Sequence, residues 1–312
     1  MAEVTGIEWT HHTHNLWWGC TKVDEECDNC YAERDSKRYG FNVWGPGAPR
    51  RVFKEAHYLE PLKWEKKAVA AGEHRRVFCS SMADICDVDA PDGIVAKWLW
   101  PIIRETPHLH WLLLTKRPAR FPLILPPDWG AGYPNVMLMT SVGQQKSVHR
   151  ARQLLAVPAL QRGLSCEPLL TGLDLTGLVG QGSNCTNCGS NVRVDEDGCC
   201  ISCGTDAMWY GVDWVIAGGE SGPKARPTHP DWLRALRDVS VAAGVPYFFK
   251  QFGEWLPVSR MPSGEATSPE SGRRPLARYS TDASGRRCRH SPQRHGALNV
   301  TPTGRAPKKG KR

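Results

Sequence analysis

The 312-residue chain has no run approaching ~18 consecutive apolar residues, which excludes a conventional membrane-spanning helix. Its start, MAEVTGIEWTHHTHN, lacks the basic run followed by an apolar run that marks a secretory signal, so a cytoplasmic location is expected. Without an oxidising compartment, the twelve cysteines point to metal rather than to disulfides. The body of the chain also lacks excess charge. Residues 1–259 carry 27 Lys and Arg against 29 Asp and Glu, a net of −2. The overall +8 therefore comes from residues 260–312, with 13 basic and 3 acidic residues. We expect a folded body over 1–257 and a flexible, basic tail over 258–312, rich in Pro, Ser, Gly and Arg. Clustered cations attract phosphates, so a nucleic-acid partner is one expectation for the tail and simple solubilisation is the other.

What is present in the body is a rhythm. Short apolar runs at 75–80, 108–115, 135–141, 162–166, 213–219 and 245–250 read as buried parallel strands. Amphipathic helical patterns follow at 91–104, 146–156 and 229–243, with Pro91 and Asp92 suited to a helix start. Alternating strands and helices predict an α/β fold with a parallel sheet, open or closed into a barrel. Ligands gather at the C-terminal ends of such strands. Polar residues follow each run there: Ser80, Ser81 and Asp84; Thr115, Lys116 and Arg117; Ser141, Gln144 and Gln145; Glu167; Glu220 and Ser221; Lys250 and Gln251. Six such groups in register predict a shared rim, although loops are polar in general.

The segment Trp17-Trp18-Gly19-Cys20 to Cys27-Asp28-Asn29-Cys30-Tyr31 holds three cysteines, with no fourth nearby. A structural zinc site wants four closed ligands. Three thiolates on an iron–sulfur cluster leave one iron open to a small molecule. From spacing alone three readings stand: a cluster, a zinc site completed by His11, His12 or His14, and three buried thiols without metal. Trp17 and Trp18 would shield such a site from solvent.

A second group is different. Cys185 and Cys188, then Cys200 and Cys203, form two C-x-x-C pairs, each followed by glycine. That pattern predicts a four-cysteine zinc ribbon inserted over 180–208, holding Zn2+, with an auxiliary iron–sulfur cluster as the competing reading.

The stretches IEWTHHTHNLWWGC, CDNCYAER, EPLKWEKKA, SSMADICD, LLLTKRP, SCEPLL, VIAGGESGPKARP and FFKQFGEW resemble a phage-related family of unknown function, the three-cysteine-motif group. That family in turn resembles radical S-adenosylmethionine enzymes, spore photoproduct lyase among them. The resemblance implies a partial (β/α)6 TIM-like barrel, with Cys20, Cys27 and Cys30 holding a 4Fe-4S cluster that binds S-adenosylmethionine. It implies an electron donor such as flavodoxin or ferredoxin. It implies Tyr31 beside the adenine, Ser80, Ser81 and Asp84 at the methionine amino group, and Ser141, Glu167, Gly218, Gly219 and Glu220 as further cofactor contacts. Lys116, Arg117, Glu167 and Lys250 are the candidates for catalysis. The chain departs from the usual pattern in two places. The first cysteine gap is six residues, not three, and no Gly-Gly-Glu follows the second strand. The substrate implied is a nucleic acid base or nucleotide. The rival is a non-catalytic, zinc-binding nucleic-acid interaction protein.

Overall fold

A computed structural model describes residues 5–180 and 211–257, and within the remainder 266–267, 279–281 and 287–289. The predicted ribbon cysteines, Cys185, Cys188, Cys200 and Cys203, lie outside the described residues, as does most of the predicted tail.

The apolar runs become strands β2 (Arg75–Cys79), β3 (Leu109–Thr115), β4 (Val136–Ser141), β5 (Arg162–Cys166), β6 (Trp214–Gly218) and β7 (Tyr247–Gln251). The first strand, β1 (His12–Thr13), has only two residues and falls between the 5–9 and 14–19 stretches expected for it. Trp17–Trp18 instead pairs antiparallel with Arg51–Val52, outside the main sheet. All seven strands are parallel and stand in chain order, β1 to β7.

Besides the one-turn helix Glu55–Tyr58, five helices lie along the described residues: α1 (Tyr31–Arg38), α2 (Glu60–Ala71), α3 (Trp100–Arg104), α4 (His149–Leu155) and α5 (Pro230–Ala242). A π-helical turn, Val95–Leu99, leads into α3. Pro91 and Asp92 precede this helix rather than start it, because Gly93 takes φ 66°, which a continuing right-handed helix does not allow. At α5 the His229 ring accepts from the Asp231 amide at 3.2 Å, capping the first turn.

Side-chain alternation then decides the architecture. Val77, Cys79, Trp111, Leu113, Val136 and Leu138 pack with Trp64 and Ala68 of α2 and Ile102 and Ile103 of α3. Leu164, Cys166, Val215 and Ala217 pack with Ala151 of α4 and Leu233 and Leu236 of α5. The residues of opposite parity, Phe78, Leu112, Met137, Met139 and Ile216, form their own cluster under Trp9, with no residue from the five helices. Sequential parallel strands with helices on one face only form the wall of a barrel. β1 and β7 do not pair with each other, so among the described residues the wall stays open. Each fully buried Leu or Ile in these layers contributes ~1.5–3 kcal/mol. Leu256–Pro257 adds a short antiparallel pair with Ala266–Thr267. A second compact unit, Gly272–Arg312, carries the antiparallel pair Tyr279–Thr281 with Arg287–Arg289.

Candidate functional site

Counting in twos along each strand carries the inner face to its C-terminal end. Leu112 leads to Leu114 and Lys116, Met139 to Ser141, Ile216 to Gly218, and Phe248 to Lys250, whereas beyond Phe78 the Ser80 hydroxyl lies against the outward Cys79 Sγ at 3.2 Å. Gly163 faces Met137 and Met139, which puts Ser165 and Glu167 on the same face. Of the residues expected at the rim, Lys116, Ser141, Glu167 and Lys250 fall on the side of the strands that faces the interior of the open barrel.

The three-cysteine loop belongs to this end. It follows the Trp17–Trp18 strand, whose neighbour Gly19 donates its amide to the Met82 carbonyl beyond β2 at 3.0 Å. Cys20, Cys27 and Cys30 are all free thiols of intermediate burial. Cys30 is the N-cap of α1, and a one-turn helix, Glu25–Cys27, precedes it.

Cations flank the thiols. Arg117 points Nη1 at Cys20 Sγ, 3.8 Å away, and at Asp84, 3.0 Å away, while its Nη2 donates to the Thr21 carbonyl. Burial pushes the Cys20 thiol well up, Asp84 and Asp87 add to the shift, and Arg117 opposes it. For Cys30, burial also raises the pKa, against the first-turn amides of Glu33 and Ala32 and the charge of Lys116. Burial disfavours the Lys116 ammonium, but Cys27, Glu26 and Cys30 outweigh it and hold its pKa above the ordinary lysine value. Salt bridges occupy Arg117, Arg150, Arg226 and Lys250, whereas Lys116 has no ion-pair partner among the described residues.

The remaining predicted residues divide into exposed and occupied groups. Tyr31 is 44% exposed at the mouth and donates its hydroxyl to the Ser81 carbonyl at 2.8 Å. Ser81 Oγ accepts from Asn15 at 3.0 Å. Ser80 is buried with its hydroxyl 3.2 Å from Cys79 Sγ, and Ser141 is buried with its carbonyl accepting from Arg150. Glu167 pairs with Lys250 at 3.2 Å. A side chain at Gly218 would stand 2.5 Å from Glu167 Oε1, and one at Gly219 would strike the Phe252 carbonyl, so the glycine pair serves close packing.

Two predicted cofactor contacts are already saturated. Asp84 accepts from the Cys86 amide at 2.9 Å, Thr115 Oγ1 at 2.6 Å, the Lys116 amide at 3.0 Å and Arg117 at 3.0 Å. Glu220 accepts from Arg226 at 2.7 Å and from Asn29 at 3.0 Å. Burial alone would raise the Glu220 pKa, but Arg226 and Asn29 hold it below the ordinary carboxylate range. Both carboxylates tie strand ends to the cysteine loop or its neighbours.

The histidines proposed as zinc ligands pack elsewhere. His12 stacks on Trp64 at 4.5 Å, His14 stacks on His57 at 5.1 Å, and His11 accepts from the Arg76 amide. Among the described residues no three His, Cys, Asp or Glu side chains converge as a ready metal site. The donor chemistry nonetheless suits a cluster: three free thiols, partly accessible, beside two cations that offset thiolate charge. The Cys20 thiol is turned onto the Thr21 carbonyl at 3.3 Å, so it must rotate to join the other two.

Residues that sequence reasoning missed are the partners of this loop: Asp24, Glu26, Arg50, Asp87, Arg150 and Arg226. Arg50 is buried against Asp87 at 2.7 Å and donates to Thr21 Oγ1 at 2.8 Å. The one available signal was the acidic run Asp24-Glu25-Glu26 between two cysteines, which needs cationic partners to be tolerated.

Fold and site together define an open parallel α/β barrel with a three-cysteine loop at its mouth. The chain belongs to the DUF5131 family, described as protein of unknown function, whose profile matches residues 4–295. No curated protein matches it. Solved structures similar to it include a cysteine-to-serine mutant of spore photoproduct lyase, at 14% identity and TM-score 0.43, covering 77% of each chain. A double mutant of that lyase with bound AdoMet and dinucleoside spore photoproduct matches at 13% identity and TM-score 0.43, covering 78% of this chain and 77% of that one. The lyase complexed with dinucleoside spore photoproduct matches at 11% identity and TM-score 0.40, covering 76% and 74%. No helix among the described residues is long and apolar enough to cross a membrane.

Proposed function

We propose that the chain is a radical S-adenosylmethionine enzyme whose Cys20, Cys27 and Cys30 hold a 4Fe-4S cluster. The observation that supports this most is the pairing of three free thiols with Lys116, a cation without an ion-pair partner among the described residues, at the mouth of an open parallel barrel. Held by Cys20, Cys27 and Cys30, such a cluster would supply an electron, received from a donor such as flavodoxin or ferredoxin, for reductive cleavage of a C–S bond of S-adenosylmethionine to a 5′-deoxyadenosyl radical.

The chain's own residues supply binding and exclusion of water. Lys116 suits a carboxylate, as a compact charge reaching the inner face. Tyr31 offers an exposed ring beside Cys30 for an adenine to pack on. Lys250 and Glu167 neutralise each other on the opposite strands and line the far side of the mouth. Below them the inner cluster of Phe78, Leu112, Met137, Met139 and Ile216, closed by Trp9, fills the barrel and keeps water out. We extend the proposal to a nucleic acid base or nucleotide as substrate, because the basic residues of 260–312 suit a phosphate-bearing partner. Zn2+ on Cys185, Cys188, Cys200 and Cys203 completes the metal content we propose.

Anaerobic reconstitution with metal analysis tests this reading. The expected result is a brown protein with about four irons per chain, cleaving S-adenosylmethionine when reduced. The triple variant Cys20→Ala, Cys27→Ala, Cys30→Ala should take up no cluster and keep its zinc. A colourless wild-type chain holding zinc alone, with no cleavage, would remove the enzyme reading and leave the zinc-binding interaction protein as its rival.

A further inference from the structure

Three carboxylates between two thiols is an unfavourable sequence, since like charge disfavours the thiolates a metal requires. The structure shows where each carboxylate goes. Glu25 stays on the surface and pairs with Lys146. Glu26 turns inward and is 4% exposed. Its Oε1 accepts from the Gly143 amide at 2.9 Å, beyond β4, and its Oε2 accepts from Arg150 Nη1 at 3.0 Å. Arg150 belongs to α4 and is itself 3% exposed. Its Nη1 also donates to the Ser141 carbonyl at 3.2 Å, and its Nη2 pairs with Asp24. Asp24 in turn accepts from the Glu26 amide at 3.0 Å through its other oxygen.

Space around the pair is closed. A side chain at Gly143 would strike the Pro168 carbonyl and come within 3.2 Å of the Glu26 carboxyl carbon. The Gly143 carbonyl accepts from the Leu170 amide at 2.7 Å, which joins the loop after β5 to the same point.

We infer that Arg150 is a positioning residue, which clamps Asp24 and Glu26 and so fixes the Cys20–Cys27 segment over the end of β4 whether or not a metal is bound. The long first gap between the cysteines is then an anchor, built from residues that a three-residue gap could not contain. A buried ion pair of this kind is weak evidence for stability, and fixing one geometry is the use that suits it. The value of the clamp for metal binding rests on the cluster reading, but the clamp itself does not.

Amide hydrogen exchange on the full, metal-free, reduced chain tests it, with Arg150→Met, Arg150→Lys and Glu26→Gln. In Arg150→Met, protection over residues 24–28 should fall at least ~10-fold, the change produced by 1.4 kcal/mol of easier local opening. Protection in β3 should fall by a smaller factor. Arg150→Lys keeps the charge without the fork and should restore part of the loss. Glu26→Gln keeps the shape and should shift the loop in the same direction, and it decides the matter if Arg150→Met does not fold. Unchanged loop protection in folded variants would overturn the inference. So would loop and sheet protection falling by one common factor, the mark of a merely structural residue. Iron uptake is measured separately: a wild type that takes no iron removes the cluster and leaves the exchange result standing.

Discussion

Asp84 is the clearest place to separate a cofactor contact from an architectural one. Its carboxylate receives four donors, at 2.6 to 3.0 Å, from Cys86, Thr115, Lys116 and Arg117. Asp84 is 7% exposed, and no lone pair is left over for a ligand. Asp84→Ala strands a buried hydroxyl and two amides and leaves Arg117 with Asp87, at 3.6 Å, as its one carboxylate partner among the described residues. Breaking one side of a buried charged pair costs about 3–5 kcal/mol, and the stranded neutral donors can add to that. Asp84→Asn keeps the shape and two acceptor sites but turns an acceptor into a donor facing Arg117, so it should cost about 1–3 kcal/mol. Equilibrium urea unfolding of the wild type and both variants measures this directly. If Asp84→Ala unfolds within about 1 kcal/mol of wild type, the network is not holding these strand ends and the architectural role is wrong. A ligand-binding role for Asp84 would then regain ground, since a residue kept for binding need not stabilise the empty chain.

Two further outcomes follow from the same geometry. His14 is fully buried between His57, Trp64 and Trp111, and burial together with the His57 charge lowers its pKa from 6.5 to about 3. The unfolded chain takes up a proton below pH 6.5 that the folded chain refuses, so this stability is present above pH 6.5 and is lost on acidification. Two pH units below that value the loss is about 2.7 kcal/mol. His14→Phe should remove that part of the slope, and parallel stability–pH curves for variant and wild type would contradict it. Arg50 holds Asp87, Asp89, Thr21 and the carbonyls of Val43, Gly45 and Ala48 under the cysteine loop. Arg50→Met should lower Tm by roughly 10 °C through the buried Asp87 it abandons, and a scanning-calorimetry shift under about 2 °C would refute this.

The parts of the fold legible in the sequence were those where burial repeats. A strand covered on both faces is largely apolar, and so the runs 75–80, 108–115, 135–141, 162–166, 213–219 and 245–250 are legible and contain or overlap the six longer strands. β1 is not legible, because two residues cannot show a period, and His12 and Thr13 are polar despite being buried. Its place in the sheet comes from pairing with Val77 and Phe78, more than sixty residues away. The start of α3 was misread for a different reason: Pro91 and Asp92 are good opening residues, but Gly93 with positive φ resets the chain after them.

The site was half legible for a related reason. Lys116, Ser141, Glu167, Gly218 and Lys250 follow from counting in twos off residues whose apolar character already marks the inner face. What they are joined to does not follow, because Glu26 meets Arg150 across 124 residues and Asn29 meets Glu220 across 191. No local pattern encodes such a pair, although local conflict does hint at one. Asp24, Glu25 and Glu26 beside Cys27 crowd like charge into one short loop, which is unfavourable in a loop left to itself. A foldable sequence tolerates a local conflict where tertiary partners resolve it. The acidic run therefore carries information of its own: it requires cations from elsewhere in the chain, and Arg150 and Lys146 are the ones that meet it.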